Sequence, residues 1–288
     1  MPDHQSDCDQ TASEYNVRIA HLSDLHFGRD QTEVAEKIVK QLNRMNLDQI
    51  IISGDLTQIA SHEEFIAARQ FIDQLEAPVH VVPGNHDLSP NNLPERFLYP
   101  WQKWKRHIQP ELQPITDTSK TKIVGLNTAR RMGWYLDWSR GRINDQQIRH
   151  VIEQLSDTDH SKLRIVVAHH PFWLPPSSMH RKLIGGRDEA IEQFDTLDVD
   201  LVLGGHIHIA FAETLQGIVV SHAGTTTSDR LLKGHPNSFN LIEGNRQQLS
   251  ITEWNWHNDA FRSGHCRSFS RIGDNWENDE RANLASAQ

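Results

Sequence analysis

The stretch Val79-His80-Val81-Val82-Pro83-Gly84-Asn85-His86-Asp87 decides the fold of this chain. Its first four residues are mostly apolar and β-branched, which is typical of a buried strand, and Pro-Gly ends that strand. Asn85, His86 and Asp87 are therefore predicted to lie in a loop just beyond the C-terminal end of the strand. Open α/β sheets bind their ligands at this edge. The stretch predicts an α/β fold with a functional site where its strands end.

Four further motifs follow strand-like apolar runs elsewhere in the chain. They are Ser23-Asp24-Leu25-His26-Phe27-Gly28, Ser53-Gly54-Asp55-Leu56-Thr57, Ala168-His169-His170-Pro171 and Gly204-Gly205-His206-Ile207-His208. The runs before them cover residues 17–22, 49–52, 163–167 and 200–203. Because ligands of open α/β sheets collect at the C-terminal ends of strands, the five motifs are predicted to bring carboxylates, imidazoles and one carboxamide together.

Helices are predicted between the first three strands. Residues 32–46 carry apolar side chains at helical spacing, and a second helix begins after Ser61. Ser61 and Glu64 have the spacing of a capping box, in which each side chain satisfies a free backbone N–H group. Strands that alternate with helices in this way predict a parallel sheet with right-handed crossovers.

The pattern changes beyond Asp87. Residues 88–121 are rich in proline and aromatic side chains and predict a long, partly helical excursion, which is often functional in a compact domain. A strand at 122–126 and helices at 144–155 and about 188–197 follow. After His208, short runs at 217–221, 238–243 and 248–256 predict antiparallel strands that close a second sheet.

One domain, residues 16–257, accounts for these patterns. Residues 1–15 and 258–288 are polar, and we predict that both are disordered tails. The two cysteines, Cys8 and Cys266, lie in these tails and match no zinc-ligand spacing, so the sequence predicts neither a zinc finger nor a disulfide framework.

The charge balance limits the partners of the chain. Aspartate and glutamate outnumber lysine and arginine by 38 to 29, which gives a net charge of -9 at pH 7. This sign opposes broad binding to nucleic acid or anionic membranes. The N-terminus does not resemble a signal peptide, and no apolar run approaches the ~20 residues of a membrane-spanning helix. We expect a cytoplasmic protein with no nucleic-acid partner and no membrane insertion.

The side chains at the predicted strand ends are suitable metal ligands. Oxygen and imidazole donors without thiolate suit divalent metals such as Mn, Fe, Zn, Co or Ni. Two such ions roughly 3.5–4 Å apart activate water and hold the attacking and leaving oxygens of a displacement at phosphorus. The set has too many members for one ion and about enough for two: Asp24, His26, Asp55, Asn85, His169, His206 and His208.

Taken in order, the motifs Asp-x-His, Gly-Asp, Gly-Asn-His-Asp, His-His-Pro and Gly-His-x-His resemble those of the calcineurin-like metallophosphoesterase superfamily, over about residues 17–256. The resemblance implies a four-layer α/β/β/α sandwich of two mixed sheets flanked by helices. It also implies that His86 is the catalytic imidazole that protonates the leaving oxygen, oriented by Asp87. The implied ligands are Asp24, His26 and His208 for one metal, Asn85, His169 and His206 for the other, and Asp55 as the bridge.

The adjacent pair His169 and His170 requires a choice. Alternation along a strand allows only one of the two side chains to face the ions. The family places the ligand first, directly after the apolar run. We therefore expect His169 to be the ligand and His170 to lie behind it or to contact substrate.

Within the superfamily, the compact motif spacing is most similar to that of the bacterial class III cyclic nucleotide phosphodiesterases. The leading hypothesis is a phosphodiesterase with two metal ions, of which Mn, Fe and Zn are the first candidates. It would hydrolyse small phosphodiesters, cyclic nucleotides among them, by in-line attack of a metal-bridging hydroxide. Because relatives often dimerise, a homodimer is a further expectation by analogy.

Two other functions are open at this point. Phe172, Trp173 and Leu174 could line an apolar entrance for a pyrophosphate-bond hydrolase acting on a nucleotide-linked sugar or lipid such as UDP-diacylglucosamine. The chain could instead be an inactive metal-binding scaffold, although a scaffold would not need His86.

Several cations and aromatic side chains suggest a pocket for a phosphate and a base. The sequence favours surface charge and loop packing for them over a direct role in binding. They are Arg130, Arg131, Arg187, Arg230, Trp134 and Trp138.

Overall fold

The structure is a computed structural model that describes residues 16–90, 92–131 and 139–279. The strands are β1 Val17–Leu22, β2 Gln49–Ile52, β3 Val79–Val81, β4 Ile115–Asp117, β5 Thr121–Leu126, β6 Leu163–Ala168, β7 Leu201–Gly204, β8 Phe211–Leu215, β9 Ile218–His222, β10 Ser238–Gly244, β11 Gln248–His257, β12 Ala260–Ile272 and β13 Asn275–Asn278. The α-helices are α1 Thr32–Asn43, α2 His62–Asp73, α3 Leu93–Leu98, α4 Gln102–His107, α5 Asp145–Leu155 and α6 Arg187–Thr196.

The strands form two mixed sheets. One has the order β13-β12-β11-β10-β1-β2-β3 and the other the order β4-β5-β6-β7-β9-β8. Strands β1, β2 and β3 are parallel, as the alternation of strands and helices predicts. In the second sheet β5, β6, β7 and β9 are parallel. The C-terminal ends of both parallel sets therefore carry the five motifs.

Three apolar layers hold the fold together. Ile38 of α1 and Phe65 of α2 belong to the core on the outer face of the first sheet. Ile19 and Ile165 belong to the core between the two sheets. The helices α5 and α6 cover the second sheet with a third core that includes Phe194. This arrangement confirms the predicted four-layer α/β/β/α sandwich.

The helix boundaries follow local signals. The predicted capping box is present, because the Ser61 side chain accepts from Glu64 N and the Glu64 side chain accepts from Ser61 N. Asn144 caps α5 in the same way, with Gln147 as its partner. The predicted excursion at 88–121 contains the short helices α3 and α4 and the edge strand β4. Within the described ranges, no helix is both long and apolar enough to cross a bilayer.

The prediction of a disordered tail from residue 258 is wrong over residues 260–278. These residues form β12 and β13, which extend the first sheet. Their polar composition hides a small set of apolar side chains that face the cores, Phe261, Cys266, Phe269 and Trp276, all of them buried. Phe261 belongs to the core on the outer face of the first sheet, whereas Phe269 and Trp276 belong to the core between the two sheets. Residues 1–15, including Cys8, and residues 280–288 lie outside the described residues.

A buried carboxylate fastens this C-terminal segment to the second sheet. Asp200 Oδ1 accepts from Arg271 Nη1 at 2.6 Å and from Trp276 Nε1 at 3.1 Å. Its Oδ2 accepts from Arg164 N at 2.8 Å and lies 3.0 Å from Arg246 Nε. Residues from β6, from the turn before β11 and from β12 and β13 therefore share one anion.

The late strands also differ from prediction in where they pair. The runs at 238–243 and 248–256 were predicted to close a second sheet, but β10 pairs antiparallel with β1 and β11 pairs with β10, so both extend the first sheet. Of the three predicted late strands, only the one at 217–221, observed as β9, joins the second sheet, parallel to β7 and antiparallel to β8. Short runs alternating in polarity indicate strands, but they do not specify the partner.

Folding stability is expected to fall in mild acid because His80 is buried. Burial lowers the pKa of His80 to about 4, whereas an unfolded histidine titrates near 6.5. Below pH 6.5 the unfolded chain gains a proton that the folded chain does not, so stability decreases as the pH falls. From pH 7 to pH 5 this one residue should cost about 2 kcal/mol of unfolding free energy.

Urea unfolding of the His80→Gln variant at pH 7 and pH 5 measures this contribution. The glutamine does not titrate, so the difference between the two pH values should shrink by about 2 kcal/mol. His160, whose side chain is 81% exposed, provides the matched control His160→Gln. An unchanged difference in the His80 variant would contradict the assignment.

Candidate metal centre

The five motifs meet at one edge of the two sheets. Backbone hydrogen bonds join their loops: Asp24 N donates to Gly54 O at 3.1 Å, and His26 N donates to Asp55 O at 3.0 Å. Within the second sheet Gly205 N donates to His169 O at 2.9 Å, and the two sheets are linked where His206 N donates to Asp24 Oδ2 at 2.9 Å. The side chains of both sheets therefore converge on a common space, as predicted.

Five of the candidate ligands have a left-handed backbone conformation. This conformation is uncommon for any residue other than glycine, and such strained residues cost about 1–3 kcal/mol each. Strain of this kind concentrates at functional sites, where the surrounding structure enforces it. The residues and their φ angles are Asp24 at 52°, His26 at 48°, Asp55 at 52°, His206 at 72° and His208 at 60°.

Two glycines allow the loops to approach each other. Gly54 has φ +97°, and a Cβ at this position would lie 2.7 Å from His169 Nδ1. A Cβ on Gly205 would lie 1.8 Å from Ser23 Oγ and 2.6 Å from Asp24 Oδ2. A larger residue at either position would push the ligands apart.

Asp24, His26 and His208 form the first ligand cluster. Asp24 Oδ1 lies 3.6 Å from His26 Nε2 and 3.2 Å from His208 Nε2, and the two Nε2 atoms are 3.3 Å apart. His26 Nδ1 faces Thr57 O at 3.3 Å, and His208 Nδ1 faces Arg230 O at 3.0 Å. Because a carbonyl only accepts, both Nδ1 atoms carry the proton and both Nε2 lone pairs point at Asp24.

The second cluster is built around Asp55 and His169. His169 Nδ1 faces Ser53 O at 2.8 Å, which leaves the Nε2 lone pair 3.2 Å from Asp55 Oδ2. The same Oδ2 atom lies 3.8 Å from His26 Nε2, so Asp55 stands between the two clusters. His206 Nδ1 lies 3.0 Å from Asn85 Oδ1. All seven predicted ligands are thus together in the structure.

This donor set fits two cations. Lone pairs that face each other at 3.2–3.8 Å repel unless a proton or a metal ion lies between them. Asp24 Oδ1 and His169 Nε2 are buried and, although imidazole or carboxylate atoms are near, make no hydrogen bond. Ligands at about 2.0–2.2 Å from one ion would be about 3–3.6 Å apart. Oxygen and imidazole donors suit Mn, Fe or Zn.

The charges of the site also favour cations. Burial opposes ionisation of Asp24 and Asp55, but the neighbouring imidazoles outweigh it and hold the pKa of both carboxyls below the usual range. Burial likewise opposes protonation of His169, yet the Asp55 carboxylate raises the pKa of His169 to about 9. Two buried anions therefore attract positive charge into this space.

His86 lies at the edge of the clusters with its ring fixed. Its Nδ1 atom faces Gln58 O at 2.8 Å, and its backbone N donates to Asp55 Oδ1 at 2.8 Å. The ring packs against that of His26, with centroids 4.9 Å apart. Since Nδ1 donates to the carbonyl, Nε2 is the atom that faces the site.

Asp87 does not orient the His86 ring directly, which corrects the prediction. Its carboxylate instead accepts from Thr57 N and Thr57 Oγ1, both at 2.9 Å, and from Gly84 N at 2.9 Å. Burial raises the pKa of Asp87 to about 7, with Asp55 acting in the same direction. Asp87 therefore joins the second and third motif loops, and the Gln58 carbonyl holds the ring.

Both histidines of the adjacent pair border the site. Strand β6 ends at Ala168, so alternation along a strand does not govern the next two residues. Of these two adjacent histidines, His169 is the one within ion-pair distance of Asp55. The Nδ1 atom of His170 is hydrogen-bonded to Thr128 Oγ1 at 2.8 Å. Its Nε2 atom is buried and has no hydrogen-bond partner. His169, His170 and His206 could together hold an ion.

One arginine treated as surface charge in the sequence lies in the site. Arg230 Nη1 is 3.1 Å from His86 Nε2 and 3.3 Å from Gln58 Oε1. The sequence placed Gln58 directly after the second motif and raised Arg230 as a phosphate-pocket candidate, but no spacing in the sequence predicted that either would contact His86. Arg187 instead donates to Phe172 O, and the carbonyls of Arg130 and Arg131 accept from Arg96. Trp134 and Trp138 lie outside the described residues.

Comparison with known proteins agrees with this site. The family described as Calcineurin-like phosphoesterase matches residues 17–210. A probable glycerophosphodiester phosphodiesterase GpdQ of Arcobacter nitrofigilis is 24% identical over 62% of this chain and 63% of its own length. A probable cyclic nucleotide phosphodiesterase of Coxiella burnetii is 24% identical over 69% of this chain and 80% of its own length. The match spans less than two thirds of the first of these relatives.

Among solved structures, purple acid phosphatase PPD1 from yellow lupin shares the fold with a TM-score of 0.61 and 15% identity. The similarity covers 94% of this chain and 55% of the lupin chain. At this identity the likeness extends to the fold alone.

Proposed function

Since this chain belongs to the calcineurin-like phosphoesterase family, we propose that it is a metal-dependent phosphodiesterase with two metal ions. The observation that carries the proposal is the convergence of imidazole lone pairs on Asp24 and Asp55 in two adjoining clusters. Asp24, His26 and His208 would hold one ion, Asn85, His169 and His206 the other, and Asp55 would contact both.

The two ions, when bound, would supply Lewis acidity and an activated water for attack at phosphorus. The chain supplies the remaining parts of the reaction. Backbone carbonyls fix the tautomers of three imidazoles: that of Ser53 for His169, that of Thr57 for His26 and that of Arg230 for His208. Such outer contacts orient the ligands and raise their basicity.

His86 is the proposed proton donor. The Gln58 carbonyl holds its Nδ1–H group, so His86 would act as an imidazolium and pass the second proton, carried on Nε2, to the leaving oxygen, which leaves the Nε2 lone pair seen here. Proton transfer of this kind contributes about 10²–10⁴-fold to a rate. Asp87, by holding the Gly84 and Thr57 backbone, keeps the His86 loop beside Asp55.

We propose small phosphodiesters as substrates, with cyclic nucleotides as the first candidate. The names of the Arcobacter and Coxiella relatives support a diester rather than a monoester. The test is a panel of esters assayed with manganese-reconstituted protein: cyclic AMP, a glycerophosphodiester, an aryl phosphodiester, an aryl phosphomonoester and a UDP-linked acyl sugar. Diesters should be hydrolysed at least about tenfold faster than the monoester; equal or reversed rates would contradict the proposal.

The pyrophosphate-bond alternative receives no support from the apolar segment that suggested it. Phe172 is 1% exposed and Leu174 is 7% exposed, so both are core residues and neither lines an open entrance. The cytoplasmic location and the homodimer stay predictions.

A further inference from the structure

Arg230 brings a guanidinium group to the edge of the metal centre. Its Nη1 atom lies 3.1 Å from His86 Nε2, 3.4 Å from His26 Nε2 and 3.3 Å from Gln58 Oε1. Its own main chain is fixed separately, because its carbonyl oxygen faces His208 Nδ1 at 3.0 Å and its N–H group donates to Ser228 Oγ at 3.1 Å. The side chain can therefore change partners while the backbone stays in place.

Binding of a metal ion would weaken or remove the present hydrogen bonds of this guanidinium. A guanidinium only donates hydrogen bonds, so it faces lone pairs on both imidazoles. The His26 lone pair is one of those that converge on Asp24, where a cation would take it. The bound cation and the Arg230 guanidinium would then repel each other, and an anion between them would relieve this repulsion.

We propose that Arg230 binds a nonbridging oxygen of the substrate phosphoryl group, beside His86. This inference rests on the proposed phosphodiesterase function. A phosphoryl group offers the oxygens that match a planar guanidinium, and such charge-assisted hydrogen bonds are about twice as strong as neutral ones. Contact with His86 places the guanidinium next to the proton donor. Arg230 would thereby position phosphorus between the ligand clusters and Nε2 of His86.

A nearby arginine serves as a matched control. Arg29 lies in the loop that packs beside residue 229, and its guanidinium pairs with Asp229 at 3.0 Å. Its side chain is 54% exposed and is held by that carboxylate instead of the histidines. Arg29→Ala removes the same charge from the same side of the protein without removing a group from the site.

The test is calorimetric titration of inorganic phosphate into the manganese-loaded full chain, for the wild type, Arg230→Ala, Arg230→Lys and Arg29→Ala. Arg230→Ala should raise the phosphate Kd by about 10- to 100-fold, as expected for loss of a charged hydrogen bond. Arg230→Lys should recover part of this loss, because it restores the charge without the planar fork. Arg29→Ala should leave the Kd within about threefold.

Bound manganese, measured in the same samples, should stay at two ions in Arg230→Ala, because the carbonyl that holds His208 is retained. Phosphate binding by Arg230→Ala equal to that of the wild type would overturn the inference and leave the phosphodiesterase proposal intact. An equal loss of phosphate affinity in Arg29→Ala would also overturn the inference, because the effect would then come from the net charge of the protein and not from a contact made by Arg230. A wild type that neither binds phosphate nor hydrolyses any ester would overturn both.

Discussion

Asp55→Ala is expected to lower kcat/KM for an aryl phosphodiester by more than about 10³-fold, since it removes several kcal/mol of metal-dependent stabilisation. Asp55 Oδ2 faces both clusters, at 3.2 Å from His169 Nε2 and 3.8 Å from His26 Nε2. Its other oxygen accepts from the His86 backbone. The variant should therefore lose metal as well as turnover, with fewer than two manganese ions per chain by elemental analysis.

The Asp55 variant needs a control for folding, because a buried anion is removed. Asp55→Asn keeps the shape and the acceptor for His86 N but lacks the charge, so it should lose metal almost as strongly. Asp73→Asn, on the exposed end of α2, should behave like the wild type. If Asp55→Ala retained two ions and turned over within tenfold of the wild-type rate, Asp55 would not be a bridge.

His86→Ala is expected to lower kcat by about 10²–10⁴-fold while leaving two metal ions bound. Its Nε2 atom faces the site, and its backbone N–H group, which holds Asp55, is retained in the variant. A proton donor matters most when the leaving oxygen is basic. The loss should therefore be larger for an alkyl phosphodiester than for a nitrophenyl one, whose leaving oxygen needs little protonation.

Comparing the two leaving groups separates proton transfer from other roles of His86. A merely structural or electrostatic role would reduce both rates by the same factor. Equal losses for the alkyl and nitrophenyl substrates would therefore refute the assignment of His86 as the donor. Loss of metal from the His86 variant would show that this histidine acts on the ligands instead.

The parts of the fold that the sequence predicted are those with strong local signals. Parallel β1, β2 and β3, the capping box at Ser61 and the convergence of the motifs all depend on apolar runs, caps and turns along the chain. Such signals do not specify which strands pair over long separations. This is why β10 and β11 were assigned to the wrong sheet.

The C-terminal strands were missed for a different physical reason. Residues 260–278 are mostly polar because most side chains of β12 are partly or fully exposed, and the few buried side chains of the segment, such as Phe269 and Trp276, give too weak a pattern. Their order also depends on Asp200, which lies more than 70 positions before its partners Arg271 and Trp276. No local window of sequence contains that contact.

The candidate ligands were predictable because their motifs combine residue type with position at a strand end. The groups that orient the side chains of the site were not predictable, since a backbone carbonyl such as that of Gln58, which holds the His86 ring, has no sequence signature. Arg230 is separated from His86 by 144 positions, and only the folded chain brings them together. The role of Asp87 differs from the predicted one because its carboxylate accepts hydrogen bonds from backbone N–H groups. Sequence spacing does not reveal that direction.

Anomalous diffraction from crystals grown with manganese tests the proposed centre most directly. We expect two peaks about 3.5–4 Å apart, one beside Asp24, His26 and His208 and the other beside Asn85, His169 and His206, with an Asp55 oxygen in contact with both. A single peak, or two ions with Asp55 in contact with neither, would contradict a two-metal centre in this protein.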